Sequence, residues 1–244
     1  MGSIRIRRIL HIVCAVLGLI VIQTFASQLG NFIADLFKYS AIDKDGVFMN
    51  ITVHHIVQMA VALLIIFVIG KKNNLDFFLK PKVDKIGIIY TSIFSGAILI
   101  YVLISYVVGY SFGTITPYEY DLNAINIVGT LGFQMLLSGT SEEILFRALP
   151  ITVLCSVIYK ENKSSKAFVI VIASVLFSFA HINWTIVPFT VSFSWFQLVY
   201  AFVLGVAYGI TYMKSKSIIY PIIMHGLSNF FMVGIGYIFM AVVN

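Results

Sequence analysis

The stretch SGTSEEILFRALP, Ser138–Pro150, places Glu142, Glu143 and Arg147 inside a long apolar run of the chain. A charged side chain at mid-bilayer costs about 2.5–3.5 kcal/mol on insertion scales, so each one marks a functional hypothesis. Glu143 and Arg147 are spaced i,i+4 in the favourable acid-first order and share one helix face. Glu142 points about 100° away from Glu143, as a neighbour in a 3.6-residue turn must. One carboxylate can therefore neutralise the arginine while the other faces something else. A plain buried ion pair accounts for Glu143 and Arg147 and leaves Glu142 without a reason.

The surroundings establish that the setting is a membrane. Of 244 residues, 60% are hydrophobic and 11% are charged, and the mean hydropathy is +0.99. Soluble domains carry roughly a quarter charged residues. The apolar runs are too long and continuous for the alternating strands of a barrel, so an all-α bundle of spanning helices is expected. With about 20 residues per crossing, seven stretches qualify, within a range of about six to eight. They are Ile9–Ala26, Ile51–Gly70, Ile86–Tyr110, Ala124–Ile158, Ala167–Ile182, Trp195–Met213 and Ile218–Val243. The fourth is longer than one crossing needs and has room for a bend or re-entrant piece. No domain-sized loop interrupts them, so residues 1–244 read as one integral membrane domain.

The net charge of +6 raises the possibility of a nucleic-acid partner, and the distribution of the charge argues against it. Arg5, Arg7, Arg8, five lysines in 71–85, three in 160–166, and Lys214 and Lys216 make thirteen basic residues on one side. The loops between carry only Lys38 and Lys44. This is the positive-inside pattern, with a cytoplasmic N-terminus. Arginines, an apolar run and the small residues of TFAS (Thr24–Ser27) also fit a cleaved signal peptide loosely. The two cysteines, Cys14 and Cys155, stand in different spans and imply no disulfide framework. The segment Leu75–Lys85 is expected as a short amphipathic piece in the cytoplasmic interface, or a solvated loop. Gly205 and Gly209 form a GxxxG suited to close helix packing.

Further polar outliers stand at similar depth. His181 ends the fifth span, and His225 and Asn229 share a face of the seventh. At 1.5 Å per residue, Glu142 and His181 lie roughly 20–25 Å from the cytoplasmic ends, and His225 and Asn229 roughly 12–18 Å. His11, His54 and His55 are read as interfacial or structural. A carboxylate, two imidazoles and a carboxamide make a poor structural core and a good hydrolytic site. The carboxylate can take a proton from water while neutral donors hold an oxyanion. Such a site calls for a wet cavity, expected on the cytoplasmic side.

These residues resemble the CPBP family of intramembrane proteases, which includes CAAX proteases and bacteriocin-processing (Abi) enzymes. Its EExxxR motif matches Glu142-Glu143-Ile-Leu-Phe-Arg147, its FxxxH matches Phe177–His181, and its HxxxN matches His225–Asn229. The motifs lie in order on separate spans, and the resemblance covers about residues 124–232, a CPBP-like catalytic core. It implies an intramembrane glutamate peptidase acting on a small or membrane-associated peptide or protein. Glu142 would be the general base, with His181 helping to hold the water and His225 and Asn229 stabilising the oxyanion. Glu143, Arg147 and Phe177 would support the site. No cofactor is expected: zinc is disfavoured because Asn229 is a poor ligand and HExxH is missing. The partners implied are a substrate chain and the lipid bilayer. Abundant Ile, Lys, Asn, Phe and Tyr suggest a low-GC bacterial cell membrane, and with it pheromone or bacteriocin precursors as substrates. The competing readings are a non-catalytic immunity factor or regulator of the same fold, and a proton-coupled transporter. The chain lacks the paired broken helices that transporters show.

Overall fold

The computed structural model describes residues 2–158, 162–185 and 188–243. Lys160 lies outside the described residues, as do the side chains of Arg5 and Arg8, all three assigned above to the basic loops. Helices form where the apolar runs predict them: α1 (Gly2–Ala34), α2 (Met49–Asn73), α3 (Lys85–Ser111), α4 (Ala124–Gly132), α5 (Gly139–Glu143), α6 (Leu149–Val157), α7 (Lys163–Phe179), α8 (Trp195–Ser215) and α9 (Ile219–Val243). Two π-helical turns, Phe133–Ser138 and Ile144–Ala148, join α4 to α5 and α5 to α6. The protein is an all-α membrane bundle.

Of the seven expected spans, five helices are individually long and apolar enough to cross a bilayer: α1, α2, α3, α8 and α9. The fourth expected span is one helical run, Ala124 to Val157, cut into short α pieces by its π turns. The fifth, α7, has 17 residues. The first span runs past its expected end at Ala26, because Ser27, Gln28 and Asn31 stay helical to Ala34. Gly30 lets α1 lie against α2 there: a Cβ would stand 2.8 Å from the His54 carbonyl oxygen.

The loops fix the helix starts by side-chain caps. Asp84, Asn123, Asn162 and Ser194 each accept a hydrogen bond from the backbone N–H three residues on, satisfying one of the free donors of α3, α4, α7 and α8. Asp43 does this from a distance for α2, accepting from the N–H groups of Val47, Phe48 and Met49 at 2.7–2.8 Å.

Leu75–Lys85 forms no interfacial helix. Phe77 is buried, its carbonyl accepts from Tyr212 Oη at 3.0 Å, and the Phe78 carbonyl accepts from Ile218 N at 3.0 Å. The aromatic residues plug the lysine-rich end of the bundle instead of floating in lipid. Opposite them, the loop after α7 makes a small antiparallel hairpin, β1 (Asn183–Thr185) with β2 (Thr190–Ser192). Gly205 and Gly209 pack α8 onto α7 as expected, with Ser174 and Ile170 each 3.1 Å from where a Cβ would be.

Candidate active site

The π turns and two glycines decide what the carboxylates meet. Hydrogen bonding in a π turn runs i→i+5 and re-aims the residues that follow, a feature frequent at functional sites. At Gly139 a Cβ would stand 2.9 Å from the Ile222 carbonyl oxygen and 3.1 Å from Gly226 N. At Gly226 it would stand 2.7 Å from the Met135 carbonyl oxygen. Backbone meets backbone here, which brings His225 and Asn229 of α9 against Ser138, Glu142 and Glu143.

Glu143 and Arg147 are fully buried. Glu143 Oε2 lies 3.3 Å from Arg147 Nε, and Oε1 accepts from His225 Nδ1 at 2.8 Å. Arg147 donates from Nη1 to the Phe146 carbonyl at 3.0 Å, and its guanidinium lies 4.2 Å over the Phe177 ring. Glu142 turns the other way and keeps 17% of its side chain accessible. Its Oε1 accepts from Ser138 Oγ at 3.3 Å, and Ser138 Oγ accepts from Asn229 Nδ2 at 3.1 Å. The divided roles of the two glutamates follow the spacing in the sequence.

Three imidazoles are oriented in one way. Ser141 gives its single hydroxyl hydrogen to the Ser138 carbonyl at 3.1 Å, so His55 Nδ1 donates to Ser141 Oγ at 2.6 Å. His225 Nδ1 donates to Glu143, and His181 Nδ1 donates to the Phe177 carbonyl at 2.9 Å. Each ring is held at Nδ1, which leaves Nε2 for other work. His55 Nε2 lies 3.9 Å from Glu142 Oε1, and His225 Nε2 lies 4.0 Å from Glu142 Oε2. Both gaps are too long for a direct hydrogen bond and suit a bridging water.

His181 stands a step further out. Among the described residues it makes no ion pair with either glutamate. Phe177 links it to the site, its ring packing edge-on against His181 at 4.9 Å and against His225 at 6.0 Å. His225 is also stacked on Tyr208 at 5.3 Å. Among the described residues, no group of three or more His, Cys, Asp or Glu is arranged to hold a metal ion.

From the sequence His55 is expected to be interfacial or structural, and the structure brings it beside Ser141 and Glu142. The buried His55 reaches the site from α2, which carries none of the three motifs. A signal was present: His54, His55 and Gln58 cluster in a mostly apolar span, with His55 and Gln58 buried and Gln58 Oε1 3.0 Å from His54 Nε2. Gln23 of α1 was also missed; its Nε2 donates to the Leu145 carbonyl, inside the second π turn, at 3.4 Å.

No curated protein and no solved structure matches the chain. Residues 124–231 match the family described as Rce1-like, type II CAAX prenyl endopeptidase. That segment runs from α4 into α9 and contains Glu142, Glu143, Arg147, His181, His225 and Asn229. Over that segment the chain is similar to type II CAAX prenyl endopeptidases, and the match supports its resemblance to the CPBP family.

Proposed function

We propose that this protein is an intramembrane endopeptidase in which Glu142 activates water against a peptide bond of a small or membrane-associated substrate. The observation that carries the reading is the convergence on Glu142. Nε2 atoms from α2 and α9 stand 3.9 and 4.0 Å from its two oxygens, and Asn229 reaches it through Ser138.

In this mechanism a water sits between Glu142, His55 and His225. Glu142 takes a proton as the water oxygen attacks the carbonyl carbon. The charge that develops on the carbonyl oxygen is met by Asn229 Nδ2 and by His225 Nε2, which donates when the ring is an imidazolium, both held in place before the reaction. Glu142 then returns its proton to the departing nitrogen, the C–N bond breaks, and a carboxylic acid and an amine leave, the acid passing its proton to the amine or to solvent. Glu143 holds His225 through Nδ1–H so that Nε2 faces Glu142, and its charge favours the imidazolium that donates from Nε2, while Arg147 balances Glu143. His181, at the mouth of the site, helps to position the water or the substrate carbonyl. A peptide pheromone or bacteriocin precursor suits such a site, because a small precursor can enter the bundle whole.

The test compares peptides released by cells lacking the protein, cells carrying it, and cells carrying Glu142→Ala. The mechanism requires a product present only with the intact chain. If Glu142→Ala and His181→Ala both retain the cellular phenotype, the protein acts by binding and the peptidase reading fails.

A further inference from the structure

Beside the candidate active site, a cavity of about 210 Å³ lies between α1 and the junction of α7 with β1. One wall is the far half of α1, where Gln23, Thr24, Ser27, Gln28 and Asn31 line it; Asn183 of β1 lines the other. Phe146 and Ala180 also border it, next in sequence to Arg147 and His181. The cavity therefore adjoins the site at the end of α7 remote from Lys163 and Lys166. The lining includes Thr24 and Ser27, from the stretch that loosely fits a cleavage signal, and the site described so far gives those two residues no task.

Three physical arguments say what fits. Carboxamides and hydroxyls facing acyl chains would go unsatisfied, so the cavity calls for a polar occupant. No lining residue is charged, which favours an uncharged one. A carboxamide offers a donor and an acceptor together, as a peptide group does. A polypeptide that must be extended to be cut has a bare backbone, and at membrane depth every N–H and C=O of it needs a partner. The two-stranded sheet ends at β1, and it is β1 rather than β2 that borders the cavity. A strand edge of this kind accepts an added strand.

We propose that this cavity holds an extended, uncharged stretch of the substrate polypeptide. The stretch enters from the face opposite the lysine-rich loops, and its backbone is bound by the carboxamides of α1 and the edge of β1. This rests on the peptidase reading for its role in turnover, though not for binding itself. The volume is below that of a typical small-molecule pocket and suits a few residues of chain lying alongside His181.

The test uses the full chain with Glu142→Gln in liposomes, so that bound peptide is not consumed. The probe is a pool of short synthetic peptides of Ala, Ser, Val and Leu, each carrying one photoreactive benzoylphenylalanine. The proposal expects crosslinks within residues 23–31 and 183–185. Ser27→Trp, which fills the cavity, should lower their yield about tenfold, as expected for losing roughly 1.4 kcal/mol of binding. Gln28→Ala, a milder change at an exposed position, should lower it measurably without disturbing the fold. Crosslinks elsewhere, no crosslinks, or labelling unchanged by both substitutions overturns the proposal. So does competition for the same residues by a phospholipid with a photoreactive acyl chain. If wild-type protein cleaves these peptides while they crosslink elsewhere, the cavity proposal falls and the peptidase reading stands. Crosslinking in the cavity with no cleavage by wild-type protein leaves the subsite and removes the peptidase.

Discussion

At Arg147 the tension between charge and lipid is greatest, and its surroundings show how it is met. The guanidinium is fully buried, paired with Glu143, bonded to the Phe146 carbonyl and laid over Phe177. Removing one partner of such a pair leaves the other charged and unsolvated, at a cost of about 3–5 kcal/mol. Arg147→Ala should therefore lower the thermal unfolding midpoint in detergent far more than Lys163→Ala, a change at the exposed first residue of α7. His55 and His225 make a different prediction. If both hold one water for Glu142, each alanine substitution lowers kcat, and the double substitution is scarcely worse than the more damaging single one. Effects that multiply in full would place His55 outside the site. The motif residues could be read in the sequence because each ionisable group in a span needs a reason. His55 could not be placed so easily, since only the packing of α2 on α5 brings it to Ser141.

Among the elements, the contact between the segment around α5 and α9 does most to shape the site. It depends on Gly139 and Gly226, whose missing side chains allow backbones within 2.7–3.1 Å of where a Cβ would sit. Gly226→Ala should push Met135 and α9 apart and cost about 1–3 kcal/mol of stability, in the range of overpacked cores. It should also lower kcat by separating Glu142 from His225, and parallel unfolding and turnover measurements would show both losses. The loop before α2 has its own dependence on pH. Burial pushes the Asp43 carboxyl up, but hydrogen bonds from the N–H groups of Met49, Phe48, Val47 and Gly46 outweigh it and hold it below its ordinary value. A carboxyl depressed in the folded state adds stability that is complete above the unfolded pKa, near 3.9. That stability fades as pH falls through the lower folded value. Unfolding midpoints measured from pH 6 downward should drop with acid in the wild type and less in Asp43→Asn. The seven helical runs were legible as apolar stretches. The π turns were not, because i→i+5 bonding in the fourth run follows from its packing on α2 and α9, and composition carries only its excess length.

For the whole molecule, positive charge and polar lining divide the faces. Lys71, Lys72, Lys85, Lys163 and Lys214 stand at helix ends on one face, while the polar half of α1, His181 and the β-hairpin lie toward the other. Alternation of basic loops in the sequence predicts that the lysine-rich face is the cytoplasmic one. The expected cytoplasmic opening has a counterpart the sequence did not offer, the cavity at the far ends of α1 and α7. Its walls come from residues more than 150 positions apart, Gln23 and Asn183 among them, and no local pattern joins them. With Cys14 and Cys155 replaced by serine, Ser27→Cys should react with an impermeant maleimide added on the face opposite the lysine loops, and Asn74→Cys only from the lysine side. The hydrolytic role of Glu142 is tested most directly by single-turnover cleavage of one quenched-fluorescent peptide by wild type and Glu142→Gln at matched unfolding midpoints. The account predicts a rate loss of about a thousandfold or more for the glutamine variant; equal rates would contradict it.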